Sequence, residues 1–130
     1  MSFYFFVLTC LIPRDMMYNV NGGIGMDAQL KRGVLDVCVL AAIKNEDSYG
    51  YKIIKDLKPI LVLSESTLYT ILKRLEDNKM LIVRSTEFEG RLRKYYHITP
   101  LGLKRIEDFK NEWKEIMDIY SFIDRGENND

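Results

Sequence analysis

A mainly α fold with one small β-hairpin is what this sequence predicts, and three observations predict it. Apolar residues recur at helical spacing through Leu30–Lys44, through Glu65–Asn78 and from Pro100 onward, which gathers each set on one side of a helix. Two β-rich runs, LIVRSTEF and LRKYYHIT, flank EGR, whose glycine suits a tight reversal. At 130 residues, 47% apolar and 29% charged, the chain has the makeup of one small globular domain rather than of a disordered segment.

Leu30–Lys44 is the first helix. Leu30, Val34, Val37, Cys38 and Ala41 share one side, yet Leu35, Val39, Ala42 and Ile43 make the other apolar too. Such a helix is expected to be buried nearly all round. NEDS, Asn45 to Ser48, breaks it and is expected to supply capping oxygens for the next helix, Tyr49–Leu57. There Ile53, Ile54 and Leu57 point inward, and Pro59 ends the helix. PILVL, Pro59–Leu63, reads as a short extended segment. Ser64 is the expected N-cap of the third helix, Glu65–Asn78, with Glu65 placed to suit the helix dipole. Leu68, Ile71, Leu72 and Leu75 fall on one face of it; Ser66, Thr70 and Lys73 lie opposite, flanked by Tyr69 and Arg74.

In the hairpin Gly90 marks the tip. Alternation puts Tyr96 and Ile98 inward and Arg93, Tyr95 and His97 outward. Thr99 and Pro100 open the last helix as N-cap and first helical residue. Within it Ile106, Phe109, Trp113, Ile116, Tyr120 and Ile123 form a heptad stripe. A helix from Pro100 to Ile123 is about 36 Å long. A stripe that long and that aromatic exceeds what a small domain covers by itself, and a second copy of the chain is its expected cover. Residues 124–130 read as a polar tail. The domain division expected is 26–99 for the helices and hairpin and 100–123 for a long C-terminal dimerisation helix.

The first 25 residues stand apart. Phe3–Ile12 is apolar, too short to span a bilayer, and stopped by Pro13; it lacks the flanks of a secretory signal. Three readings stay open: a membrane or partner anchor, an extra ordered element, or a misassigned start with Met26 as the true one. The Gly22-Gly23 codons, just ahead of Met26, favour the third, because in a bacterial gene such a pair can hide a purine-rich ribosome-binding site. N-terminal sequencing of the native protein that found Ser2 would remove it.

Formal net charge is zero, which argues against binding nucleic acid by bulk charge and demands a local patch. The charge is segregated: Lys73–Arg105 holds nine Lys/Arg against four Asp/Glu, and Ile106–Asp130 three against eight. Cys10 and Cys38 lie far apart and His97 is the lone histidine, so neither a disulfide framework nor a metal site is expected, and a reducing, cytoplasmic compartment fits. The same scarcity of His and Cys, with no phosphate-cradling glycine loop, argues against an enzyme and against a cofactor.

Three helices followed by a two-stranded hairpin is the winged helix-turn-helix arrangement, in which the third helix rests on the first two and offers its outer face to the major groove. Small hydroxyls approach base edges and phosphates closely, and a lysine reaches guanine acceptors or phosphate oxygens. Arg91, Arg93 and Lys94, just past the tip, are placed to meet phosphates or the minor groove. Each feature also has a plain reading. Ser66, Thr70 and Lys73 could be an ordinary solvated helix face, and the RLRK cations could protect an edge strand from aggregation.

The chain from about Leu30 to Ile123 resembles the PadR family of bacterial transcriptional regulators. The resemblance is carried by YGYKIIKDL, by STLYTILKRLEDNKML across the third helix and by GRLRKYYHITPLG across the wing. Where the family often has Gly-Leu after that helix, this chain has NKML, which leaves its C-terminal cap open. The resemblance implies a homodimeric repressor of the short subfamily, bound to a double-stranded DNA operator. It implies DNA contacts at Ser66, Thr67, Tyr69, Thr70, Lys73, Arg91, Arg93 and Lys94, and Arg74 on the flank of the same face is expected to join them; Tyr69 could instead pack its ring between helices. Short members include multidrug-responsive repressors that hold flat aromatic compounds between paired tryptophans, so Trp113 becomes a candidate contact for a planar aromatic or cationic effector. Two indole faces can stack a planar cation, and Asp108, Glu112, Glu115 and Asp118 would favour a positive one. The alternative is that Trp113 is a large residue of the dimer core. The rival to the whole function is a winged-helix module that binds protein and not DNA, which zero net charge favours.

Overall fold

The computed structural model of the chain describes residues 27–126. The extension read over residues 1–25, Met26 as a start, Cys10 and the last four residues of the tail lie outside the described residues.

The order is α1 (Ala28–Ala42), α2 (Gly50–Leu57), α3 (Glu65–Asp77), β1 (Leu81–Phe88), β2 (Arg91–Ile98) and α4 (Pro100–Ile123). The mainly helical class with a single hairpin and a long last helix therefore holds. Helix α1 lies at the centre, against α2, α3 and α4. Its N-cap is Asp27, whose carboxylate accepts from Leu30 N at 3.3 Å. It is not buried all round: Val34, Val37, Val39 and Leu40 are buried, whereas Leu30 and Ala41 are exposed and Leu35 and Cys38 half-buried. Three helices cannot surround a fourth completely, so one flank keeps its apolar side chains at the surface.

The link from α1 to α2 differs from expectation. NEDS does not cap α2; Tyr49, with extended backbone and no side-chain cap bond, occupies that place. Ser48 is fully buried and pairs with the wing instead. Its N–H donates to the Tyr96 carbonyl at 3.2 Å, and Tyr96 N–H donates back to the Ser48 carbonyl at 2.7 Å. Asp47 Oδ1 lies 2.6 Å from His97 Nδ1. The linker is thus a one-residue strand laid on the edge of the hairpin. PILVL is not extended from its start. Ile60 and Leu61 N–H both donate to Leu57 O at 2.8 Å, so the chain turns before Leu61 and Leu63 enter the core.

Helix α3 follows the sequence closely. Ser64 Oγ accepts from Thr67 N at 3.2 Å, and Leu68, Ile71, Leu72 and Leu75 are 0–2% exposed. Its C-terminus needs no glycine. Lys79 adopts φ 61°, Met80 N–H donates to Leu75 O at 2.9 Å, and Lys79 N–H donates to Glu76 O at 2.9 Å, which is the Schellman closure.

The strands pair antiparallel from Leu81↔Ile98 to Phe88↔Arg91. The turn is Glu89 and Gly90 alone, at φ 50° and 78°, the two-residue reversal whose twist matches a hairpin; Arg91 is therefore strand and not turn. Leu81, Tyr96 and Ile98 are buried, but everything from Arg84 to Leu92 is exposed. Thr99 links three elements, accepting from Gly102 N at 3.2 Å and donating to Lys79 O at 2.7 Å. Gly102 lets α4 start flush against the end of β2 and the backbone just ahead of β1: a Cβ there would meet the Met80 carbonyl oxygen and lie 2.7 Å from Ile98 Cγ1.

The α4 stripe divides. Ile106 is in the main core, and Phe109 packs against both that core and a small cluster of Trp113 and Met117. Ile116, Tyr120 and Ile123 are exposed, and so are Ile119 and Phe122, which the heptad left out. No described helix is long and apolar enough to cross a membrane.

Candidate nucleic-acid interface

The outward face of α3 follows from its inward one. Four leucine-type residues fix the helix roll, and Ser66, Thr67, Tyr69, Thr70 and Lys73 emerge exposed on the other side. The hydroxyls are ordered at the helix start: Ser64 Oγ donates to Thr67 Oγ1 at 2.9 Å and lies 3.2 Å from Ser66 Oγ. Thr70 Oγ1 donates to the Ser66 carbonyl at 2.9 Å, so its oxygen lone pairs and methyl group stay free to face outward. Lys73 Nζ lies 3.7 Å from Asp77 Oδ1 with both side chains mostly exposed, a pair weak enough for an incoming phosphate to displace.

Arg74 is engaged elsewhere. Its Nε donates to Asp36 Oδ2 at 3.3 Å and its Nη2 to Asp36 Oδ1, a fork that ties α3 to α1 in a half-buried site. The sequence placed it on the outer flank because Asp36 is distant along the chain. Tyr69 is part exposed and part packed. It is half exposed, yet its hydroxyl sits so close to α2 that a Cβ on Gly50 would lie 3.1 Å from it.

Wing and helices enclose a groove lined by Tyr49, Tyr51, Tyr69, Arg91, Arg93 and Lys94, among others. Arg91 and Lys94 are exposed, but strand alternation sends them to opposite faces of the ribbon, Arg91 with Phe88 and Lys94 with Ser85. Arg93 is half-buried against Tyr49 and Phe88, and a hydrogen bond to Tyr95 raises its pKa further above its usual high value. Tyr49, Tyr51 and Phe88 were not singled out as site residues from the sequence. Tyr49 and Tyr51 sit in YGYKIIKDL, where two tyrosines around a glycine at a helix start were the available signal.

Trp113 stacks on Phe109, ring centroids 5.8 Å apart and planes 16° from parallel. It is only 5% exposed in the single chain, and its Nε1 has no hydrogen-bond partner among the described residues.

A helical triad closed by a hairpin, with a bare helix face beside cationic strands, defines a winged-helix protein of the DNA-binding type. The profile of the PadR-like transcriptional regulator family matches residues 39–108. The chain belongs to that family. A PadR-like transcriptional regulator from Bacillus cereus is 33% identical, with 77% of this chain and all of that one covered at a TM-score of 0.65. A transcriptional regulator from Clostridium thermocellum is 33% identical, with 72% and 96% covered at a TM-score of 0.65. An uncharacterised protein of Lysinibacillus sphaericus is 32% identical over 100 residues, 73% of this chain and 92% of its own.

Proposed function

We propose that the chain is a homodimeric, ligand-responsive transcriptional repressor of the cytoplasm, with α3 in the major groove of a double-stranded operator and the wing along the neighbouring backbone. The observation that carries this is the α3 face itself: Ser66, Thr67, Thr70 and Lys73 are exposed together, ordered by local hydrogen bonds, and uncovered by any described part of the fold. Ser66, Thr67, Tyr69, Thr70 and Lys73 read the groove, and Arg91 and Lys94 meet phosphates. Residues 26–99 form the DNA-binding unit. Residues 100–123 form the dimerisation helix, its partner covering Ile116, Tyr120 and Ile123 with Ile119 and Phe122 beside them, while Ile106 and Phe109 serve the chain's own core. Two copies then address half-sites about 34 Å apart.

Retardation of the duplex upstream of the chain's own gene tests this. Lys73→Ala is expected to weaken binding, and Arg91→Ala to lower the slope of log affinity against log salt by about 1. A monomer that ignores that duplex would favour the rival reading, a protein-interaction module. For an effector, the unpartnered Trp113 Nε1 and the acidic neighbours Asp108, Glu112, Glu115 and Asp118 support a planar aromatic or cationic molecule held between the tryptophans of the two copies. Quenching of Trp113 fluorescence by planar dyes is the expected result; a broad panel without quenching leaves Trp113 as a core residue.

A further inference from the structure

Arg93 differs from the other cations of the wing. Its guanidinium carbon lies 4.2 Å from the Tyr49 ring centroid and 4.2 Å from the Phe88 ring centroid. Tyr49 is the N-cap of α2, Phe88 the last residue of β1 and Arg93 itself part of β2, so the contact with Tyr49 crosses from the wing to the helical unit while Phe88 holds the guanidinium from the wing side. Tyr49 also meets Tyr95 edge-on, centroids 5.6 Å apart at 73°. Little else is available to hold the tip, since Arg84 through Leu92 are all exposed. A two-stranded ribbon with no packed face is weakly constrained in its swing and twist. A guanidinium is planar and can lie against two rings at once, which a compact ammonium cannot do equally well.

We propose that Arg93 is a positioning residue and not a phosphate contact: its stack between Tyr49 and Phe88 fixes the wing at a set angle to α3, so that Arg91 and Lys94 reach the DNA backbone while Lys73 is seated in the groove. This rests on the DNA-binding reading above and departs from the family-based assignment of Arg93 as a DNA contact. The cation is already occupied by rings of its own chain, and the charge that meets phosphate is left to its exposed neighbours.

The two roles separate when the rings are changed and the charge is kept. Phe88 is exposed at the tip, away from the core, so Phe88→Leu leaves folding intact; Tyr49→Leu tests the other ring. Affinity for the duplex upstream of the chain's own gene is measured at fixed salt. Phe88→Leu, Tyr49→Leu and Arg93→Lys should each weaken binding roughly tenfold, the scale expected for lost cation–π stacking. Combining Phe88→Leu with Arg93→Lys should cost no more than either alone, because both break one stack. Arg93→Lys at wild-type affinity would mean that charge suffices and would overturn the proposal, as would a silent Phe88→Leu. The stack is also read without DNA. In the free protein the Arg93 side-chain protons should be shifted upfield by the two rings and move back in Phe88→Leu; unshifted Arg93 protons would overturn the proposal whatever the DNA does. A wild-type chain that shows the upfield protons but no retardation would instead sink the DNA-binding reading and leave the stack as a structural joint.

Discussion

Helix α3 and the wing both present cations and hydroxyls outward, but they are held in opposite ways. Behind α3 stand four side chains at 0–2% exposure, an N-cap serine, a Schellman closure and the Arg74–Asp36 fork. Among the described residues, the outer half of the wing has none that is buried, and it meets the helical unit where Arg93, backed by Phe88, lies against Tyr49. The direction of α3 is therefore a property of the core and is as rigid as the fold. The direction of the wing is a surface property, set by one stack, and can be changed without unfolding anything. The base of the hairpin belongs with α3, because Leu81, Tyr96 and Ile98 are core residues.

The largest effect should come from the seat of α3. Leu75 is 0% exposed in the main cluster, and Leu75→Ala is expected to cost about 2–5 kcal/mol, lost transfer energy plus the cavity left behind. Urea denaturation measures it. A loss below about 1 kcal/mol would mean that α3 is not held by the core and would dissolve the contrast with the wing. Gly102→Ala comes next. The added methyl would be driven into the Met80 carbonyl and Ile98, where backbone and not a flexible side-chain end must yield. A cost of about 3 kcal/mol follows from overpacking. The damage should spread to α3, since Thr99 bonds Lys79 just beyond that helix.

What the sequence disclosed divides along the same line. Local periodicity exposed the leucine face of α3, Ser64, the hairpin and the Thr99-Pro100 start, because each is decided by residues within a few positions of one another. Pairings between distant segments stayed hidden. Asn45–Ser48 looked like a cap because Ser48's true partner, Tyr96, lies in the wing. Arg74 looked free because Asp36 lies two helices earlier. The heptad stripe of α4 was visible, but not that Ile106 and Trp113 are covered within the single chain while Ile119 and Phe122 are exposed. A periodic pattern names an apolar side without naming what covers it. Arg93 read as a bare cation because the rings around it come from two different elements.

A smaller effect, of opposite sign, is expected at the C-terminus of α3. Lys79 holds φ 61° without being glycine, and its carbonyl and N–H are both in use. The left-handed backbone costs an L-residue about 1–2 kcal/mol, and glycine escapes that cost while losing more chain entropy on folding. Lys79→Gly should therefore raise stability by about 0.5–1 kcal/mol. A destabilised variant would show that the lysine side chain contributes something its exposure does not suggest. The α3 side of the comparison would then gain a further contact.

The smallest expected effect is the sharpest probe of the wing. Leu92 is 80% exposed beside the tip, and Leu92→Ala removes the same atoms as Leu75→Ala. With no packed neighbours to lose and no cavity to leave, stability should stay within about 0.5 kcal/mol of wild type. The pair holds chemistry fixed and varies only burial, so the ratio of the two losses measures how differently α3 and the wing are supported. A Leu92→Ala loss above about 1 kcal/mol, measured on the same denaturation curve, would require apolar cover for the tip. In that case Arg93 would no longer be the sole joint of the outer wing among the described residues, and its stack would have to share the work of aiming it.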